Sequence, residues 1–166
     1  MSARLLSFIV TLALAVFPVD AQATGAHPFV GHWKLIAADK ILPDGSRVSD
    51  YGDEPHGMAI FTSDGYFMIE IFRDVRVKFA SDDRAKGTPE EYKDASLSAS
   101  CTFGTYSVDP ATSKVTLKVD RSTFPNNDET TQVRAYELKG DILSWKVRAR
   151  PDSSIPVTVL RRISAE

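Results

Sequence analysis

The chain has 166 residues, of which 43% are apolar, 25% charged and 10% aromatic, with a formal charge of −2. That length suits one globular domain, and that apolar fraction excludes a disordered chain. The near-neutral balance gives no electrostatic basis for a nucleic-acid partner, and a single cysteine, Cys101, excludes an internal disulfide framework and a multi-cysteine metal site.

Residues 1–23 read as a secretory signal peptide. Arg4 supplies a positive start, Leu5 to Phe17 is an uncharged apolar run, and Ala21-Gln22-Ala23 is a small-x-small cleavage pattern. The run is shorter than the ~20 residues a membrane span requires. The expected product is a domain over residues 24–166, periplasmic or secreted, with no membrane span after cleavage. In that oxidising compartment Cys101 is expected to be buried.

The first strand is expected over His32–Asp39, with Trp33, Leu35 and Ala37 on one face, followed by a turn at Pro43-Asp44-Gly45. Ser46 to His56 shows no regular pattern. Gly57–Thr62 and Tyr66–Arg73 form a hairpin around Ser63-Asp64-Gly65, a three-residue loop whose glycine takes the left-handed position. This register puts Ala59, Phe61, Phe67, Ile69 and Ile71 on one face and Met58, Ile60, Tyr66, Met68, Glu70 and Phe72 on the other. Both faces are apolar, so either can point inward.

Thr88 opens the one helix expected in the mature chain. Thr88-Pro89-Glu90-Glu91 places a hydroxyl at the N-cap, proline at N1 and glutamate at N3, a capping box. Tyr92, Ala95, Ser96 and Ala99 give it a narrow, weakly apolar stripe. Five more strands follow: Thr102–Val108, Val115–Val119, Thr131–Leu138, Ile142–Val147 and Pro156–Ile163. The class is all-β, antiparallel, with one short helix. Eight strands joined in order suit an up-and-down barrel wide enough for a small ligand, and a two-sheet sandwich satisfies the same periodicity.

Several blocks carry a family resemblance. They are Gly31-His32-Trp33-Lys34-Leu35, Asp44-Gly45, Tyr51-Gly52-x-x-Pro55-x-Gly57, Asp64-Gly65, Phe103-Gly104-Thr105-Tyr106-x-Val108-Asp109, Gln132-Val133-Arg134-x-Tyr136-Glu137-Leu138-x-Gly140-Asp141 and Arg161-Arg162. In their order and spacing, from Gly31 to Arg162, they resemble the lipocalin-like domain family of bacteria and fungi. The resemblance implies an eight-stranded lipocalin-like β-barrel whose interior holds a small apolar molecule. It also implies that Trp33 packs at the closed end beneath a C-terminal arginine, here Arg162. Some such proteins work in secondary-metabolite pathways, a few as cyclases or isomerases. Many carry histidines in the strand matching Val115–Val119, where this chain has Leu117 and Lys118, so a histidine-dependent activity there is not expected.

The chain's own chemistry is sparse. His27, His32 and His56 have no metal-ligand spacing, and no cofactor motif or catalytic elbow is present. Only His56, at a strand start near the rim, is placed to serve a site. The acid pairs Asp82-Asp83, Glu90-Glu91 and Asp128-Glu129 read as solvated loop charge and helix-end complementation. The candidate ligand-binding residues are polar groups expected inside, Arg73, Tyr106, Gln132, Arg134 and Tyr136, with apolar walls from Phe61, Phe67, Ile69, Ile71 and Leu117. A buried arginine is costly unless paired or wet. Arg134 therefore either binds a ligand carboxylate or carbonyl with Tyr136, or pairs internally with Glu70 or Asp120 and locks the core.

Three functions follow as expectations. The first is an exported barrel binding a small, apolar or weakly anionic molecule. The second is a cyclase or isomerase using Tyr106, Tyr136 or Glu70 as acid–base groups. The third is an envelope protein that uses the apolar exterior of Met58–Phe72 as an interface.

Overall fold

The computed structural model describes residues 28–163; the predicted signal peptide and His27 lie outside them. The order is β1 (Gly31–Ile41), β2 (Arg47–Ser49), β3 (His56–Phe61), β4 (Tyr66–Phe72), α1 (Pro89–Leu97), β5 (Ala99–Asp109), β6 (Lys114–Ser122), β7 (Thr131–Lys139), β8 (Ile142–Lys146) and β9 (Ile155–Arg162). Strands β3 to β9 pair in sequence, and β1 pairs with both β3 and β9, so eight strands close into an antiparallel barrel. A sandwich is thereby excluded. The ninth strand, β2, lies in the stretch without a regular sequence pattern and extends the far half of β1.

The Ser63-Asp64-Gly65 loop sets the first hairpin register. Phe61 lies opposite Phe67, Ala59 opposite Ile69 and Gly57 opposite Ile71, with Gly65 at φ +89°. The Ala59–Phe61 face points inward: Ala59, Phe61, Phe67 and Ile69 are buried, whereas Met58, Tyr66 and Met68 are exposed. The expected face of β1 is corrected. A β-bulge between Leu35 and Ala37 breaks the alternation, so Ala38 replaces Ala37 as the buried residue beyond Leu35.

The capping box forms as expected. The Glu91 N–H donates to Thr88 Oγ1 at 3.2 Å and the Thr88 N–H donates to Glu91 Oε2 at 2.7 Å. The helix ends at Leu97, however, and Ala99 already belongs to β5, three residues before the expected strand start.

The two ends of the barrel differ. Short turns after β3, β5 and β7 gather at one end with Pro28–Val30 and the end of β9. The longer connections leaving β1, β4, β6 and β8 gather at the other. The first end is closed. Phe29 is fully buried there and packs edge-on to Phe61 at 5.3 Å and Tyr136 at 4.8 Å between centroids. The Arg162 guanidinium lies 4.1 Å above the Trp33 ring and donates to the carbonyls of Val30 and Pro28, each at 2.6 Å. Trp33 Nε1 donates to the Phe29 carbonyl at 2.7 Å. Burying each such aromatic contributes about 1.5–3 kcal/mol, and the cation over the indole holds the plug in place.

Candidate ligand-binding site

Strand β7 alternates strictly, so Gln132, Arg134, Tyr136 and Leu138 face the interior while Thr131, Val133, Ala135, Glu137 and Lys139 face solvent. Arg134 lies opposite Val115 of β6, and its guanidinium carbon sits 5.6 Å from the centre of the Trp145 ring. Its Nη2 donates to Gln132 Oε1 at 2.7 Å. Among the described residues no carboxylate lies within ion-pair distance of it, and neither Arg134 Nε nor Trp145 Nε1 has a hydrogen-bond partner. Burial lowers the Arg134 pKa from its ordinary value to about 10.

The internal pairing expected as the alternative is absent, for a geometric reason. Glu70 lies opposite Met58 and Cys101 on the outer face of the wall, and Asp120 is the extra, exposed residue of a bulge between β5 and β6. The outward position of Glu70 also separates it from Tyr106 and Tyr136, so the three groups of the expected cyclase or isomerase do not converge.

The other candidate residues divide along the barrel axis. Phe61, Phe67 and Tyr106 are buried in the closed half, where the Tyr106 hydroxyl donates to the Thr62 carbonyl at 3.0 Å. Tyr136 packs against Phe29 there, one step beyond Arg134 toward the closed end. Its hydroxyl pKa is raised, first by burial and then by the charge of Asp109. Arg134 and Tyr136 therefore share a strand face without converging. Ile69 and Leu117 are buried near the level of Arg134. Ile71 and Gln132 are half-buried in the open half, on the same inner surface as Ser100, Thr102 and Ser122. Toward the rim the inner surface is mixed: Leu117, opposite Gln132, and Val119 stay buried, while Ile71 and Gln132 are half-buried. Arg73 is corrected: it stands past the end of β4, pairs with Asp94 of α1 at 3.3 Å and donates to the Leu97 carbonyl at 3.5 Å.

The open rim carries groups with no local sequence signal. Asp50 accepts from both Nη atoms of Arg150, at 3.1 and 2.5 Å, and pairs with Lys40 at 3.1 Å. Burial alone raises the Asp50 carboxyl, but the hydrogen bonds from Arg150 and Lys40 outweigh it and the net pKa is lowered. Tyr51, packed against the core, has its hydroxyl pKa raised by burial and then by Asp50. This clasp joins the connection after β1 to the one after β8.

Elsewhere, His56 is exposed. Cys101 is corrected to half-buried on the outer face, its thiol pKa raised by burial and then by Glu70. Glu91 caps α1 as described, Asp83 accepts from the Ala85 N–H at 2.9 Å, and Asp128 accepts from the Ser122 N–H at 2.7 Å. Ile60, Met68 and Phe103 form a row across three strands on the outside, beside a groove of about 240 Å³. Met68 and Phe103 are each about half exposed, so the described chain does not cover this patch.

Residues 30–161 match the model of a family described as a lipocalin-like domain. No curated protein matches the chain. Among solved structures, a lipocalin-like protein from Bacteroides uniformis is similar at 14% identity and a TM-score of 0.42, over 82% of this chain and 99% of that one. An uncharacterised protein from Bacteroides eggerthii is similar at 13% identity and a TM-score of 0.40, over 81% and 99%. A mutant of the fluorescent protein UnaG is similar at 16% identity and a TM-score of 0.37, over 82% and 97%.

Proposed function

The chain belongs to the lipocalin-like domain family, and we propose that it is an exported carrier holding one small, largely apolar molecule with a single acidic group in the open half of its barrel. The observation that carries this reading is Arg134, a buried cation with no acid partner among the described residues. Burying the guanidinium without an acid partner disfavours its charged form and so costs the folded state stability at neutral pH. A ligand carboxylate returns that energy as a charge-assisted hydrogen bond to Nε, with Trp145 Nε1 as a second donor. Ile69, Ile71, Leu117 and Val119 supply apolar wall for the ligand body. Mostly apolar walls with a few placed polar groups are the composition of small-molecule sites.

Phe29 and its aromatic neighbours fill the closed half, so the proposed ligand lies beside Arg134, on the rim side of that plug. Screening medium-chain fatty acids and their alcohols by thermal shift tests the reading. The acids are expected to stabilise the protein and the alcohols of equal length are not. Equal stabilisation by both, or by neither, overturns it. Export rests on the Arg4, Leu5–Phe17 and Ala21-Gln22-Ala23 pattern. N-terminal sequencing of the exported protein is expected to begin at Thr24, and an intact Met1 contradicts it.

A further inference from the structure

Outside the barrel wall, the connection from β4 to α1 folds over the helix and borders an open cleft of about 730 Å³. The segment is built for this position. Glu91, already the partner of the helix N-cap, also accepts the Ala80 N–H at 2.7 Å. The Tyr92 hydroxyl donates to the Arg84 carbonyl at 2.8 Å and accepts the Gly87 N–H at 3.0 Å. Phe79 packs edge-on to Tyr92, 5.5 Å between centroids, over Gly87, where a Cβ would meet the Phe79 ring at 2.4 Å. Arg76 donates from Nε to Ser98 Oγ at 3.2 Å and lies over the Phe72 ring at 5.1 Å.

The charge of the lining runs against that of the whole molecule. Arg76, Lys78 and Arg84 face the cleft with Asp82 as its one carboxylate, in a chain whose net charge is −2. Among the described residues none of the three cations has an ion-pair partner. Phe79 and Tyr92 give the same cleft an aromatic wall, and Ser96 and Thr123 add hydroxyls. Unpaired cations beside a ring surface select for a flat apolar body with an anionic group, through charge-assisted hydrogen bonds and stacking.

We propose that this cleft is a second binding site, separate from the barrel interior, for a small aromatic anion such as an aryl carboxylate, sulfonate or phosphate. Its lining includes none of the inward-facing barrel side chains, and it does not depend on the barrel being a carrier.

The test is titration of the full mature chain with 2-naphthalenesulfonate, followed by amide chemical shifts in nitrogen-15 NMR. Saturable shifts are expected at Lys78, Phe79, Ser81 and Tyr92. The double variant Lys78→Glu/Arg84→Glu, whose side chains are exposed and make no ion pair among the described residues, is expected to weaken binding about ten-fold or more. Neutral 2-naphthol is expected to bind more weakly by a similar factor, and Arg134→Met to leave the affinity unchanged. Shifts confined to barrel residues such as Gln132 and Trp145, or undiminished binding by the double variant, overturn the proposal. Loss of fatty-acid binding alone bears on the barrel reading and leaves these shifts in place.

Discussion

At Gly104 a Cβ would meet the Lys118 carbonyl oxygen at 2.0 Å, because the bulge that excludes Asp120 draws β5 against β6. Gly104→Ala is therefore expected to destabilise the protein by about 1–3 kcal/mol in urea denaturation, and an unchanged midpoint would contradict the close approach. Arg162 holds Trp33 and two carbonyls of the Pro28–Val30 plug. Its replacement by alanine is expected to cost a similar amount and to raise proteolysis near residue 30. The inward faces of Gln132, Arg134, Tyr136 and Leu138 were legible because a strand has a period of two. Phe29 was not, since nothing local to it announces that it plugs a barrel. The Asp50–Arg150 pair was equally hidden, because its partners are 100 positions apart and only closure brings them together.

Connections and elements separate by whether their determinants are local. The capping box and the Ser63-Asp64-Gly65 hairpin are each specified within a few residues, and both form as read. The bulge after Leu35 has no such marker, because Ile36 and Ala37 fit either face; the pairing with β9 decides it. Thr88→Ala removes one half of the cap and is expected to cost the helix about 1 kcal/mol. Faster amide exchange in Pro89–Leu97, with β-strand exchange unchanged, is the measurement, and uniform acceleration would contradict a local role. The clasp between the connections after β1 and β8 has a pH signature. The folded Asp50 pKa lies below its ordinary 3.8, so its contribution is complete above that value and is lost as pH falls through the folded pKa. The melting temperature is expected to fall in this acid range, and Asp50→Asn is expected to be less stable at pH 7 and to show a shallower acid fall. An acid profile identical in the variant would remove Asp50 as its source.

For the molecule as a whole, closure between β1 and β9 leaves the barrel wall without a free edge, which protects it from edge-to-edge association. Alternation of residues did not distinguish that barrel from a sandwich, because both have one buried face per strand. The ordered blocks from Gly31 to Arg162 did, through their resemblance to a family. The plugging of the closed end depends on Phe29 and on side-chain volumes, which periodicity does not encode. On the proposed function, the barrel keeps a buried cation for a ligand at a cost to its own stability. The most direct measurement is the melting temperature of Arg134→Met beside the parent, with and without a saturating medium-chain fatty acid. Without ligand the variant is expected to melt higher, because an apolar side chain of similar length replaces an uncompensated charge. With ligand only the parent is expected to gain stability. A variant that melts lower without ligand, or gains as much as the parent from the acid, would contradict a ligand-binding role for Arg134.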